Sequence, residues 1–143
     1  MVEEIKNVNA YNEFLKGLTI EDIVLLQLEV KRPVDSVAHG EMQVTLQPDF
    51  YLIDQDENRI RAQADFDLNV TEPNGTSAFS IKVSFMAIYN FSQEYVLSGE
   101  SEQQFVSRNV PINIWPYARE LISTTTTRLG YPALLIGPYV SIR

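Results

Sequence analysis

The sequence predicts an α+β domain: a four-stranded, mostly antiparallel sheet packed on a long C-terminal helix, with a short helix before it. Three observations carry this reading. From Ile20 to Phe91 apolar and polar residues alternate with a period of two, in stretches separated by turn signals. The pair Asn74-Gly75 falls between two such stretches, where a tight hairpin turn is expected. From Ile114 to Leu129 the period changes, and Ile114, Ala118, Leu121, Ile122, Thr125 and Leu129 recur at helical spacing. With 143 residues, 45% of them hydrophobic, the chain fits one domain, of which residues 1–19 form a helical extension.

The first element runs from Asn9 to Leu18, with Tyr11, Phe14, Leu15 and Leu18 on one face, an Asn able to cap its start, and Gly17 near its end. A strand follows from Ile20 to Val30, where Leu26, Leu28 and Val30 alternate with Gln27 and Glu29. Arg32-Pro33 closes it, and residues 34–40 connect. Met42, Val44 and Leu46 open the second strand, which Pro48 confines to an edge or bulges, and Phe50, Tyr51 and Leu52 resume it. The third strand, Ile60 to Thr71, sets Ala62, Ala64, Phe66, Leu68 and Val70 against Gln63, Asp65, Asp67 and Asn69. After the Asn74-Gly75 turn, with positive φ expected at both residues, the fourth strand places Phe79, Ile81, Val83, Phe85, Ala87, Tyr89 and Phe91 on one face. Each large apolar side chain fully buried contributes about 1.5–3 kcal/mol, so this face is the expected centre of the core.

The late helix is expected over 109–132, capped by Asn109 and ended by Gly130 and Pro132. Pro116 removes a backbone donor and predicts a bend or a late start there. Thr124 to Thr127 are poor helix formers, so burial of the apolar stripe has to hold that turn.

Several chemistries are disfavoured. The chain has no cysteine, which removes thiol nucleophiles, thiolate metal sites and disulfides. Its net charge of −8, with Lys and Arg scattered, argues against a nucleic-acid partner. No apolar run is long enough to cross a bilayer and the N-terminus has no secretion-signal pattern, so a cytoplasmic protein without membrane insertion is expected. Asp54-Gln55-Asp56-Glu57-Asn58 opens like a calcium loop, with Asp65 at the twelfth position, but Arg59 occupies the sixth, where glycine is needed. A solvated hairpin loop is the better reading. His39 has no sequence neighbour that would make it a base or ligand and is read as a surface residue. No catalytic constellation emerges, and the chain is read as no enzyme.

One string is more specific. Asn113-Ile114-Trp115-Pro116-Tyr117-Ala118-Arg119-Glu120 resembles the helix signature Pro-Asn-Ile-Leu-Phe-Pro-Tyr-Ala-Arg-Glu of the SecB family of export chaperones. The order of four strands and then a long helix is similar as well. The resemblance implies a holdase that binds unfolded client proteins in apolar grooves, without ATP or any cofactor, as a homotetramer built as a dimer of dimers. Under it, Phe50, Tyr51, Leu52, Met86 and Ile88 are the candidate client-binding residues. The oligomer interface is expected at Ile114, Trp115, Tyr117, Ala118, Leu121 and Ile122. Family members dock the motor SecA on an acidic sheet face, which here would hold Glu29, Asp65 and Asp67. Lys82 stands where that patch has a glutamate, and residues 34–40 lack the family's tryptophan. Residues 138–143 fall where the family enters its last helix. Two alternatives follow: a SecB-like chaperone dedicated to one client, such as an antitoxin, and a non-chaperone oligomeric binding or structural module.

Overall fold

The computed structural model describes residues 3–5, 7–36, 41–91 and 95–137. His39 and the segment 138–143 lie outside them. Two very short strands, β1 (Glu3–Glu4) and β6 (Tyr95–Val96), pair in parallel. Between them come α1 (Val8–Lys16) and the strands β2 (Thr19–Lys31), β3 (Gln43–Gln55), β4 (Arg59–Thr71) and β5 (Ser77–Asn90). These four make one antiparallel sheet in the order β2-β5-β4-β3. The sequence therefore places β2 and β3, consecutive in the chain, on opposite edges.

Residues facing the helix are set by register. Ile60, Ala62, Ala64, Phe66, Leu68 and Val70 on β4 oppose Tyr89, Ala87, Phe85, Val83, Ile81 and Phe79 on β5. All twelve are buried, as the alternation predicts. Pro48 leaves β3 unbroken: the strand is an edge, where a missing N–H costs the ladder little.

Three local details depart from expectation. Helix α1 is capped by Asn7 rather than Asn9, the Asn7 Oδ1 accepting from Ala10 N at 2.8 Å. The β4–β5 turn has positive φ at Gly75 alone, φ 89°, with Gly75 N donating to Glu72 O and Asn74 Oδ1 accepting from Thr76 N. Pro73 fixes φ at the second position of that turn, so a right-handed turn followed by one left-handed glycine replaces the two-residue form.

The third departure concerns the late helix, which starts at α2 (Gly99–Gln104), widens into a π-helical turn over Phe105–Asn109 and continues as α3 (Val110–Arg128). Ser98 and Ser101 form the capping box at its start. Asn109 is thus no cap: its Oδ1 accepts from the Tyr11 hydroxyl at 2.6 Å. The π turn precedes Pro111, and Val110 N donates to Phe105 O, five residues back. Such a turn makes room for a proline ring that an α turn would drive into the preceding carbonyl. Pro116 is inside α3 without interrupting it. Its ring is on the exposed side, where the orphaned Ile112 carbonyl can meet water.

Val110, Ile114, Ala118 and Ile122 bury against β4 and β5. At one end Phe14 of α1 joins the core, its ring 5.4 Å from Phe91 and 6.1 Å from Phe105. Burial raises the Tyr11 hydroxyl to about 12, against a small opposing effect of the Arg108 charge.

Candidate functional site: two bare flanks and an open sheet face

A helix is about 10 Å across and strands are spaced about 4.8 Å, so one helix roofs about two strands. Here it roofs β4 and β5 and leaves the helix-side residues of both outer strands partly bare. On β2 these are Ile20, Ile23, Leu25, Leu28 and Val30, by register with Tyr89, Ala87, Phe85, Val83 and Ile81. Leu25 is 48% and Leu28 41% exposed. Above them α3 presents Tyr117, 49% exposed with its ring 6.4 Å from Phe85, and the half-buried Leu121.

The β3 flank differs in chemistry. Val44, Leu46, Phe50 and Leu52 face the helix side. Phe50 stands 5.8 Å from Phe66, and Trp115 of α3 stands 5.7 Å from the same ring. Ile112, 57% exposed, lies nearly one helical turn before Trp115 on the same flank. Beyond α3 the chain turns at Gly130, φ 88°, and passes back beside the helix until the Trp115 Nε1 donates to Gly137 O at 2.5 Å. This returning segment packs through Tyr131, Leu134 and Ile136 into the cluster that Leu46 and Trp115 join, and so borders the β3 flank. Among the described residues, both flanks end at a strand edge that no other strand of the sheet covers.

The opposite sheet face is polar around Asp65 and apolar where Val24, Met86 and Ile88 stand. Asp65 is its hub, accepting from Ser84 Oγ at 2.6 Å, Gln63 Nε2 at 2.9 Å and the Tyr51 hydroxyl at 2.9 Å. Partial burial pushes its pKa up, and the three donors together outweigh burial and hold it below the ordinary carboxylate value. Glu29, Lys82 and Asp67 form one row by register, and Asp49 opposes Asp65. A shallow hollow of about 330 Å³ lies among Gln27, Asp49, Asp65, Asp67, Lys82 and Ser84. The expected acidic positions Glu29, Asp65 and Asp67 are therefore on one face, with Lys82 in their midst.

The other expected site residues divide. Phe50 and Leu52 are on the helix side of β3, whereas Tyr51, Met86 and Ile88 are on the opposite face. Tyr51 spends its hydroxyl on Asp65, and Ile88 is only 9% exposed. Of the expected interface residues, Ile114, Ala118 and Ile122 are fully buried in their own protomer, because the stripe that suits an interface is the one the sheet needs. Within one protomer, Trp115, Tyr117 and Leu121 are the residues of that set that keep exposed surface. The β2 residues were missed. Bulges between Ile20 and Asp22 and between Leu25 and Gln27 shift the alternation, so Leu25 and Leu28 share a face that strict period two denies them. The acidic loop is a β3–β4 hairpin, with Asp54 gripped by Arg61, whose hydrogen bonds lower the Asp54 pKa, and Asp56 N donating to Arg59 O at 2.9 Å. Among the described residues no group of three His, Cys, Asp or Glu side chains is placed to hold a metal, and no helix is long and apolar enough to cross a membrane.

The chain is similar to a curated protein-export protein SecB of Wolbachia pipientis, 33% identical over 61 residues, a match spanning 43% of this chain and 36% of that one. In three dimensions it is similar to the Mycobacterium tuberculosis SecB-like chaperone Rv1957, solved with a ChAD peptide from the HigA1 antitoxin. That likeness has a TM-score of 0.80 at 17% identity and covers 90% of this chain and 95% of that one. A Streptococcus agalactiae protein of unknown function matches at a TM-score of 0.53, 12% identity, over 84% of this chain and 96% of its own. The family model described as preprotein translocase subunit SecB matches residues 12–139, nearly the whole sheet and helix. On that match this chain belongs to the SecB family.

Proposed function

We propose that the protein is a holdase, binding unfolded polypeptides without ATP or chemistry and assembling with copies of itself as a tetramer. The observation that carries this reading is the mismatch between a four-stranded sheet and a helix that roofs two strands, which leaves apolar side chains bare beside free strand edges. An unfolded chain offers what such a flank lacks, apolar groups and backbone donors and acceptors in extended form.

The two flanks suit different occupants. The β2 flank is aliphatic and runs along a strand of 13 residues, which suits self-complementary pairing of two protomers, with Tyr117 and Leu121 alongside. The β3 flank is aromatic and bordered by the returning segment, which suits clients of varied sequence at Phe50, Leu52 and Trp115. The net charge of −8 favours cationic clients. Family membership and the absence, among the described residues, of a membrane-spanning helix accord with a cytoplasmic protein.

Two versions differ in destination. In the export version the acidic row around Asp65 and Asp67 docks SecA; in the dedicated version one client, such as an antitoxin, is served. Lys82 within that row favours the second, since it places a cation in the acidic patch. Retention of purified SecA on immobilised protein supports export, and its passage through the column supports dedication. The holdase reading itself is tested by the turbidity of a chemically unfolded protein on dilution. Equimolar protein is expected to delay aggregation and Phe50→Ala to shorten the delay. A tetramer that never delays turbidity would instead be a structural or ligand-binding module.

A further inference from the structure

We infer that Arg32 is a positioning residue for the β3 flank, a latch that holds the segment bordering that flank through contacts made at the far end of the helix. The inference rests on the holdase reading for its effect on clients, and on geometry alone for the latch.

The strand order creates the need. β2 and β3 are opposite edges of the sheet, and the end of β2 and the start of β3 lie at the same end of it. These two strand ends are about 14 Å apart, three strand spacings. Arg32 is the first residue after β2, where the connection to β3 begins.

Its guanidinium joins three pieces of chain. Nε donates to Leu129 O, the C-cap of α3, at 2.7 Å. Nη1 donates to Pro33 O at 2.8 Å and more weakly to Val34 O at 3.4 Å, and Nη2 donates to Ser36 O at 2.8 Å. These acceptors are all main-chain carbonyls, and one of them ends a helix, where the dipole favours a cation. The guanidinium carbon also stands 5.4 Å from the centre of the Tyr131 ring. Tyr131 is buried on Phe79, ring centres 4.9 Å apart, and its hydroxyl shares a hydrogen bond with the buried Ser36.

Tyr131 begins the segment that returns along α3 to border the β3 flank. That segment is held next by Thr126 Oγ1, which accepts from Leu134 N at 2.9 Å, and last by the Trp115 Nε1 bond to Gly137 O. The latch at Arg32 and the pin at Trp115 thus hold the two ends of one segment. A lysine keeps the charge but cannot span a helix end and the chain after β2 together, because only the planar fork donates in fixed, divergent directions.

The test compares Arg32→Lys with Arg32→Gln and with Arg61→Lys, whose partner Asp54 is on the other face. Emission of Trp115, the only tryptophan, is read without client. Binding is then read with reduced, carbamidomethylated pancreatic trypsin inhibitor, a cationic and permanently unfolded probe, under conditions where urea curves show each variant fully folded. Arg32→Lys is expected to shift the Trp115 emission to the red and weaken binding about fivefold, the loss expected when one or two ordering hydrogen bonds go. Arg61→Lys is expected to change neither. Wild-type emission and affinity in folded Arg32→Lys would overturn the latch. If the wild-type protein does not bind the probe, the holdase reading fails, and the Trp115 shift in Arg32→Lys still decides the latch: present, it stands; absent, it falls.

Discussion

The inner strands β4 and β5 and the outer strands β2 and β3 are written with nearly the same alternation, yet only the inner pair is sealed. The difference is in their neighbours. Ala62, Ala64 and Ala87 are small and fully buried, so α3 can lie close over the inner pair, with Ala118 on the facing helix. Leu25, Leu28 and Val44 are as apolar as anything in the core and stay exposed, because no second helix among the described residues reaches them. Apolar sequence therefore sets which face turns inward, while the width of the covering layer sets whether that face is finished within one chain.

The largest expected effect sharpens this contrast directly. Phe66→Ala, at the meeting point of Phe50, Phe85 and Trp115, should cost about 3–5 kcal/mol by urea denaturation, through lost transfer energy and the cavity left behind. Leu28→Ala should cost roughly 1 kcal/mol or less in the isolated protomer, since that side chain is already half in water. Equal costs at the two positions would mean that β2 is as well covered as β4, and the contrast would be gone.

Much of this was legible in the residues. Period-two alternation gave the inward faces of β4 and β5 and the polar face with Asp65 and Asp67. The stripe through Ile114, Ala118 and Ile122 marks the helix and its buried face, but periodicity alone does not say whether its own sheet or a second chain buries that face; here the sheet does. The start of the helix at Gly99 was missed, since residues 99–109 carry no clean apolar stripe and the π turn breaks the period. Strand order is also absent from local pattern: nothing near Arg32 says that β2 and β3 end on opposite edges, so the latch becomes visible only when Leu129 and Tyr131 arrive beside it.

A second experiment asks whether the two outer strands do different work. Leu25→Glu combined with Leu28→Glu places charge on the aliphatic flank and should reduce the assembly to smaller species in light scattering, because two like charges per protomer would be buried unpaired in any pairing there. The urea midpoint of the dissociated protomer should move by about 1 kcal/mol or less, as for other exposed positions. If the species seen for the wild-type protein persists, any assembly uses another surface, and the assignment of β2 to assembly and β3 to clients has to be exchanged or abandoned.

The smallest expected effect concerns the polar face, which is exposed by design of the layer plan and not for want of a covering helix. Asp65 has a folded pKa below its ordinary value because Ser84, Gln63 and Tyr51 donate to it against the pull of partial burial. A depressed folded value means that its stabilising contribution is complete above the unfolded carboxylate pKa, about 3.9, and is lost as pH falls through the lower folded value. Asp65→Asn should therefore lower the urea midpoint at neutral pH, and the gap from wild type should narrow as pH drops below about 4. Tyr51→Phe removes one donor and should raise the Asp65 pKa, read by NMR titration of its carboxyl carbon. A pH-independent gap would mean that Asp65 acts through shape alone, and the polar face would then owe nothing to its charge.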